Sequence, residues 1–314
     1  MDAGIIIQVV LLLVGFVFLI KGSDFFVDGA SSIASILKIP TIIVGLTIVA
    51  FGTSAPEAAV SITSSLAGNN AMAVSNVIGS NLFNMLMVIG VSALLGDLLM
   101  EKKVLDKDLP FLVGITVLWA VFIIVGWDIT NIEGIILLLI LVAYIVLLIR
   151  GARKSGDANE VEKPKLTLPK SIIFILIGLA GIIIGGDLVV DSASAIAIAF
   201  GMSETLVGLT IVAIGTSLPE LVTSLTALKK GENQLVIGNV IGSNIFNILF
   251  VLGASSAISA IPLDSSLLTD VLFMLGVTIL CFIFGKTQEK YDKKEGIILV
   301  TLFVVYMAFA ILRN

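Results

Sequence analysis

Long apolar runs interrupted by a few polar residues dominate this chain. In its first half the runs span residues 5–37, 41–66, 71–95, 111–125 and 132–149. A run of about 20 apolar residues is enough for one helix to cross a bilayer. The first run is far longer than that, so we expect its helix to tilt strongly or to break. The pattern predicts five membrane helices in this half.

The second of these runs contains a motif that returns later in the chain. Residues 45–57 read GLTIVAFGTSAPE, residues 208–220 read GLTIVAIGTSLPE, and 11 of the 13 positions are identical. Residues 76–84, NVIGSNLFN, return as residues 239–247, NVIGSNIFN, at the same offset of 163. Duplication of a five-helix unit would leave this pattern. We therefore predict an all-α polytopic membrane protein with ten transmembrane helices in two inverted five-helix repeats.

The repeats and the basic residues together predict the topology. We assign residues 1–150 to the first five-helix repeat, 151–169 to a short polar cytoplasmic linker and 170–314 to the second, inverted repeat. With the N-terminus outside, 16 of the 18 lysines and arginines fall in cytoplasmic loops, as the positive-inside rule requires. The expected location is a cell membrane, inner or plasma, which the chain crosses many times with both termini extracytoplasmic.

Composition narrows the possible functions. With 58% hydrophobic and 13% charged residues the chain is too apolar for a soluble domain, and no basic stripe suggests a nucleic-acid partner. Histidine is absent, and the one cysteine, Cys281, lies in an apolar run, which argues against zinc, copper or iron. An intramembrane hydrolase using Thr53 and Ser54 would need a basic residue beside the nucleophile. We therefore expect neither an enzyme nor a cofactor.

Two glutamates stand in the middle of strongly apolar runs, Glu57 and Glu220. A buried carboxylate needs a cation, a proton or strong hydrogen-bond donors. Just before each glutamate, Pro56 or Pro219 lacks an N–H and should free the carbonyl four residues back. The motifs supply further oxygen donors at Thr53, Ser54, Ser80, Asn84, Thr216, Ser217, Ser243 and Asn247. Hard oxygen ligands in this number suit Ca²⁺, although polar helix packing would also explain the stripe at residues 76, 80 and 84.

The doubled motifs resemble the signature of the calcium/cation antiporter superfamily, sodium/calcium exchanger type, in its prokaryotic form. The resemblance covers nearly the whole chain. It implies a secondary active antiporter working by alternating access, in which the long first helix of each repeat moves against a fixed core. It also implies that Ca²⁺ is held by Glu57, Glu220 and the carbonyls of Thr53 and Thr216. The flanking Na⁺ sites implied are completed by Ala50, Ala213, Ser54, Ser217, Ser80 and Ser243.

The chain departs from the superfamily pattern at a few positions. Asn84 and Asn247 occupy positions that are acidic in some relatives, especially potassium-dependent ones, and Ser75 stands where the signature has glycine. Only two central carboxylates remain, which argues against potassium co-transport. The short linker also leaves no room for a calcium-binding regulatory domain.

Other modes of transport stay open at this stage. A Ca²⁺/H⁺ antiporter is the nearest alternative, because the glutamates could trade Ca²⁺ for protons, and a passive cation channel is a more distant one. Energy favours three Na⁺ per Ca²⁺ in an exporter: moving Ca²⁺ against a 10⁴-fold gradient and 100 mV costs about 10 kcal/mol, and each Na⁺ supplies about 3.7 kcal/mol. The sequence leaves the oligomeric state and the direction of transport open.

Overall fold

The computed structural model describes residues 3–126, 128–155, 164–202, 207–262 and 265–313. The helices of the first repeat are α1 Ala3–Leu37, α2a Thr41–Thr53, α2b Ala55–Leu66, α3 Asn70–Leu95, α4 Leu109–Gly126 and α5 Asn131–Ser155. Those of the second are α6 Leu168–Ala199, α7a Ala213–Gly215, α7b Leu218–Lys229, α8 Asn233–Ile258, α9 Ser265–Gln288 and α10 Lys293–Arg313.

The prediction of an all-helical membrane protein is confirmed. Within the described ranges eight helices are long and apolar enough to cross a membrane, and the bent pair α2a and α2b forms a ninth candidate span. The α7a and α7b segments, at the same offset in the second repeat, are the counterpart of this pair. The first helix runs unbroken for 35 residues, so the break that was one of the two expected outcomes is not present. Residues 156–163 of the polar linker lie outside the described part of the chain.

Two short strand pairs connect the repeats. Strand β1, Leu98–Leu99, pairs antiparallel with β4, Lys290–Tyr291. Strand β2, Asp128–Ile129, pairs with β3, Ile261–Pro262. The α3–α4 loop therefore meets the α9–α10 loop, whereas the α4–α5 loop meets the α8–α9 loop. This grouping is the one that inverted repeats with an odd number of spans require, because it sorts the loops onto two opposite faces.

The core of the molecule is formed by α3 and α8. In their most apolar stretches 78% of α3 and 94% of α8 is buried, against 11% for α1. The motif residues 76–84 and 239–247 lie on these two buried helices. Exposed side chains of α1 such as Leu13 and Val17 are apolar, as expected for a lipid-facing surface. Polar residues of the motifs are thus kept away from lipid.

The long helices α1 and α6 cross each other at glycines. A Cβ atom on Gly22 would lie 2.8 Å from the carbonyl oxygen of Gly178, and one on Gly178 would lie 2.5 Å from the backbone nitrogen of Phe26. Gly15 approaches Gly185 further along the same contact, so the two helices run antiparallel. Because lipid offers no hydrophobic drive for helix association, close backbone packing at small residues is what holds such pairs together.

Each repeat contains two π-helical turns that lie within a motif or begin at its last residue. They lie at Gly45–Val49 and Asn84–Val88 in the first repeat, and at Gly208–Val212 and Asn247–Leu252 in the second. Such turns often occur at functional sites. Nothing in the hydrophobic pattern predicted them.

Candidate ion-binding site

The site is built around the break in each repeat. α2a ends at Thr53 and α2b begins at Ala55, with a bend of 49° between them. The residue between them, Ser54, has φ −85° and ψ 9°, and its counterpart Ser217 has φ −95° and ψ 4°. Each proline lies in the first turn of the new helix, where a missing N–H is tolerated.

The break places each glutamate in the first turn of a half-helix. Glu57 lies in the first turn of α2b and Glu220 in that of α7b, where the helix dipole favours negative charge. The expected free carbonyl is absent in the first repeat, because the Gly52 carbonyl accepts a backbone N–H at the end of α2a. For Gly52 the prediction was therefore wrong, because a nearer backbone N–H replaces the one that Pro56 lacks.

Each carboxylate is held by a serine from the opposite repeat. The Ser217 hydroxyl donates to Oε1 of Glu57 at 2.9 Å, and the Ser54 hydroxyl donates to Oε1 of Glu220 at 2.8 Å. Ser80 adds a second donor to Glu57 at 3.3 Å. The two breaks therefore meet and exchange hydrogen bonds at the centre of the molecule.

The second carboxylate oxygens have no such donors. Both glutamates are fully buried, and Oε2 of each has no hydrogen-bond partner among the described residues. Leaving a buried carboxylate oxygen without a partner is costly. The arrangement therefore has unused capacity to accept a cation.

Two asparagines hold the backbone at the glutamates. The Asn76 amide donates to the carbonyl oxygen of Glu57 at 3.2 Å and to Ser61 at 2.9 Å. In the second repeat Asn239 donates to the carbonyl oxygen of Glu220 at 3.3 Å and to Ser224 at 3.0 Å. The polar stripe beginning at Asn76 therefore contributes in part to helix packing, the alternative that the sequence left open.

The two threonines before the glutamates have different surroundings. The Thr53 hydroxyl lies 3.1 Å from the Val49 carbonyl, 3.0 Å from Oδ1 of Asn239 and 3.4 Å from the Ser243 hydroxyl. The Thr53 hydroxyl therefore contacts α8. The backbone carbonyl is the Thr53 oxygen that is left for the predicted role as a Ca²⁺ ligand. The Thr216 hydroxyl is buried and has no partner within the described part of the chain.

The remaining predicted residues lie in the same region. Asn84 and Asn247 are fully buried and contact the opposite repeat through their amide nitrogens. Ala50 is buried in α2a, against α8, and Ala213 begins α7a. Sequence reasoning missed Asn81 and Asn244, the partners of the two asparagines. Their signal was present, since both copies of the repeated motif contain the tripeptide GSN.

Comparison with known proteins now decides the family. A family model described as "Sodium/calcium exchanger protein" matches residues 7–150 and 170–312. The chain belongs to this family. This sodium/calcium exchanger family member is therefore a membrane transporter and not an enzyme, and the resemblance read from its motifs is confirmed.

Relatives of this family member match it over nearly their whole length. It is 39% identical to "Putative antiporter CaxA" of Alkalimonas amylolytica, over 96% of this chain and 98% of the relative. It is 31% identical to "Sodium/calcium exchanger MaX1" of Methanosarcina acetivorans, again over 96% and 98%. Among solved structures, the sodium-calcium exchanger NCX_Mj soaked with Na⁺ and Sr²⁺ is similar, with a TM-score of 0.86, 30% identity and coverage of 97% and 99%.

Proposed function

We propose that this protein is a secondary antiporter that exchanges Ca²⁺ for Na⁺ by alternating access. The observation that carries the proposal is the pair of fully buried glutamates, Glu57 and Glu220, each with one carboxylate oxygen lacking a partner among the described residues. One divalent cation between them would neutralise both charges. Among the described residues, the side chains that hydrogen-bond to the two carboxylates are serine hydroxyls, whose oxygens suit Ca²⁺ and Na⁺ rather than softer metals.

The proposed ligands follow the two motifs. Ca²⁺ is held by Glu57, Glu220 and the carbonyls of Thr53 and Thr216, with Asn84 and Asn247 nearby. The flanking Na⁺ ions are held by Ser54, Ser80, Ser217 and Ser243 with the backbone of Ala50 and Ala213. The serine hydroxyls that now donate to the glutamates can rotate to offer a lone pair to a cation.

The relatives support this choice of ions. MaX1 is named a sodium/calcium exchanger, and the NCX_Mj crystals were soaked with Na⁺ and Sr²⁺. We infer that the same ions are the substrates here. Three Na⁺ per Ca²⁺ is the proposed stoichiometry, because two Na⁺ supply about 7.4 kcal/mol against the roughly 10 kcal/mol that export costs.

We also propose that residues 1–150 and 170–314 form the two repeats in a cell membrane, with both termini outside. Cysteine labelling tests the orientation. Asn69→Cys should react with an impermeant maleimide added to intact cells, and Lys102→Cys should react only after permeabilisation. The reverse pattern would overturn the assignment.

Vesicle flux tests the function. The purified protein in liposomes should take up Ca²⁺ saturably, and only when an outward Na⁺ gradient is present. A proton gradient should not replace Na⁺, and external K⁺ should have no effect. Uptake driven by protons would identify a Ca²⁺/H⁺ antiporter, and uptake without any counter-ion would identify a channel.

Voltage tests the stoichiometry in the same vesicles. Exchange of three Na⁺ for one Ca²⁺ moves one net charge per cycle. Clamping the potential with K⁺ and valinomycin should therefore change the rate of Ca²⁺ uptake. A rate that does not depend on voltage would refute the three-to-one ratio.

A further inference from the structure

Four buried asparagines are linked by a chain of contacts between α3 and α8. The Asn84 side-chain nitrogen donates to Oδ1 of Asn244 at 3.1 Å, and the Asn247 nitrogen donates to Oδ1 of Asn81 at 3.2 Å. The Asn244 nitrogen joins these two pairs by donating to the backbone oxygen of Asn81 at 3.4 Å. All four side chains are at most 1% exposed.

This chain of contacts leaves two carbonyl oxygens without partners among the described residues. Oδ1 of Asn84 and Oδ1 of Asn247 are buried and accept no hydrogen bond from the described residues. An amide has two donor hydrogens and an oxygen with two lone pairs, and fixing the nitrogen also fixes the direction of the oxygen. The free oxygens therefore have a set orientation although nothing in the described protein binds them.

These oxygens lie on the helix faces that carry the glutamate contacts. Asn84 follows one turn after Ser80, whose hydroxyl donates to Glu57, and residues four apart share a helix face. Asn247 similarly follows one turn after Ser243, which lies 3.4 Å from the Thr53 hydroxyl. The amide nitrogens of both residues are thus held by the opposite repeat, and each residue lies one turn from a serine of the site.

We propose that Asn81 and Asn244 are positioning residues for the transported cation. Each fixes the amide nitrogen of an asparagine in the other repeat, so that the carbonyl oxygen of Asn247 or Asn84 stays turned toward the ion. The proposed ligand is a hard cation, Ca²⁺ or Na⁺, and the inference rests on the proposed function. The two positioning residues need not touch the ion.

The two positioning residues differ in what they contribute. Asn81 acts through Oδ1 and its backbone oxygen, and its side-chain nitrogen has no partner among the described residues. Asn244 both accepts and donates through its side chain. Aspartate, charged or protonated, keeps an acceptor oxygen but loses the amide donor. Asn81→Asp should therefore preserve the geometry, whereas Asn244→Asp should disturb it.

The test measures equilibrium binding of Ca²⁺ to the purified full-length protein, with Ca²⁺ uptake by liposomes as a second readout. Asn81→Leu should weaken Ca²⁺ binding by about tenfold, the equivalent of a hydrogen bond to a functional group. Asn81→Asp should recover most of this loss. Asn131→Leu is the matched control, because the Asn131 amide also joins the repeats, donating to the carbonyls of Ser256 and Ala257, and it should leave Ca²⁺ affinity unchanged.

Double-mutant cycles separate positioning from a structural role. In an Asn247→Ala background, adding Asn81→Leu should weaken binding by no more than about twofold, because the group it positions is already gone. In an Asn84→Ala background the same change should keep its full effect. The corresponding cycle for Asn244→Leu should show the reverse dependence. Equal effects of Asn81→Leu in both backgrounds would overturn the inference.

The remaining outcomes distinguish a failure of the proposed function from a failure of the positioning inference. Wild-type protein that binds Ca²⁺ but shows no Na⁺-dependent uptake would refute the proposed function and leave the cycles readable by binding. If Asn81→Leu fails to fold, Asn81→Ser, which keeps an acceptor oxygen on a shorter side chain, replaces it in each cycle. Loss of affinity in Asn131→Leu equal to that in Asn81→Leu would also count against positioning.

Discussion

The long helices α1 and α6 carry aspartates at equivalent positions, but these aspartates have different surroundings. On α1, Lys230 lies 3.5 Å from Asp24 and 2.9 Å from Asp28, and its Nζ also donates to the Asp24 carbonyl at 2.8 Å. On α6 the counterparts Asp187 and Asp191 form no ion pair with the described residues. The position equivalent to Lys230 in the first repeat is Ala67. We refer to these two ends of the molecule as the Lys230 face and the Ala67 face.

Further contacts follow the same division. On the Lys230 face the Ser23 and Thr223 hydroxyls are 3.1 Å apart, and Ser31 donates to Glu232. The positions equivalent to Ser23 and Thr223 are Gly186 and Val60, which cannot form this bond. Both line a cavity of about 530 Å³ between α2b, α6 and the break between α7a and α7b. The cavity also reaches Asp187, Asp191, Thr216 and Pro219.

The difference extends to the ion site. The Thr53 hydroxyl contacts Asn239, whereas the equivalent Thr216 hydroxyl has no described partner and Asn76 is partly exposed. The molecule is therefore closed at the Lys230 face and open at the Ala67 face. The Thr53 contact has identical residues on both faces, whereas the Lys230 ion pairs and the Ser23–Thr223 contact have no counterpart side chains on the Ala67 face. Symmetry of the motifs does not extend to the surfaces that must open and close.

The largest effect is expected where the repeats are most alike. Glu57→Gln and Glu220→Gln each remove one of two neutralising charges and keep the size of the side chain, so either should nearly abolish Ca²⁺ uptake. Glu133→Gln, which alters a helix-start contact with the Thr130 N–H, is the matched control and should retain uptake. Wild-type Ca²⁺ uptake by either glutamine variant would mean that the glutamate concerned is not required. The asymmetry between the repeats would then extend to the ion site.

Alanine at two equivalent glycines should distinguish the closed from the open contact. A Cβ on Gly242 would lie 2.7 Å from atoms of Leu46 and Ala50, whereas one on Gly79 meets no described atom within 4 Å. Overpacking costs about 1–3 kcal/mol, so Gly242→Ala should lower the thermal midpoint by several degrees. Gly79→Ala should leave it unchanged or slightly raised, because alanine favours helix.

A thiol-reactive dye can follow this unfolding, because Cys281 is the one cysteine of the chain and is buried. Equal losses of stability in the two glycine variants would show that α2a and α7a are packed alike.

Removing Lys230 should loosen the closed face. In a Cys281→Ala background, a cysteine at Ala227, which is 1% exposed on α7b, reports opening of this face. Lys230→Met should raise its labelling rate by roughly three- to fivefold, since a partly exposed ion pair contributes up to about 1 kcal/mol. Lys229→Met, at an exposed neighbour, is the control. An unchanged rate would show that Lys230 does not hold this face closed.

The smallest expected effect comes from moving the lysine to the other face. Ala67 has φ −81° and ψ 0°, close to the −86° and 0° of Lys230, so a lysine fits there without backbone strain. Combined with Lys230→Met, Ala67→Lys should slow the labelling of a cysteine at Ser64 by about twofold, through attraction to Asp187 and Asp191. Ala67→Met has similar length without charge and should not. Faster labelling would mean that the two acids do not approach this turn.

The sequence by itself determined the helices, the breaks and the two central carboxylates. Apolar run length predicts a membrane helix because each span must bury its own backbone hydrogen bonds. Proline before Glu57 and Glu220 marks the breaks locally, and duplication at a fixed offset identifies the equivalent residues. All of these are properties of neighbouring residues along the chain.

Only the tertiary structure decided which groups meet. Ser217 binds Glu57 across 160 residues of sequence and Lys230 reaches Asp24 across 206, and no local pattern specifies such a pairing. The positioning role proposed for Asn81 and Asn244 also depends on the tertiary structure, because each accepts a hydrogen bond from the side-chain amide of an asparagine in the opposite repeat. The sequence made the two halves equivalent, whereas inverted packing gave equivalent residues different neighbours, because one face of the molecule is closed and the other is open.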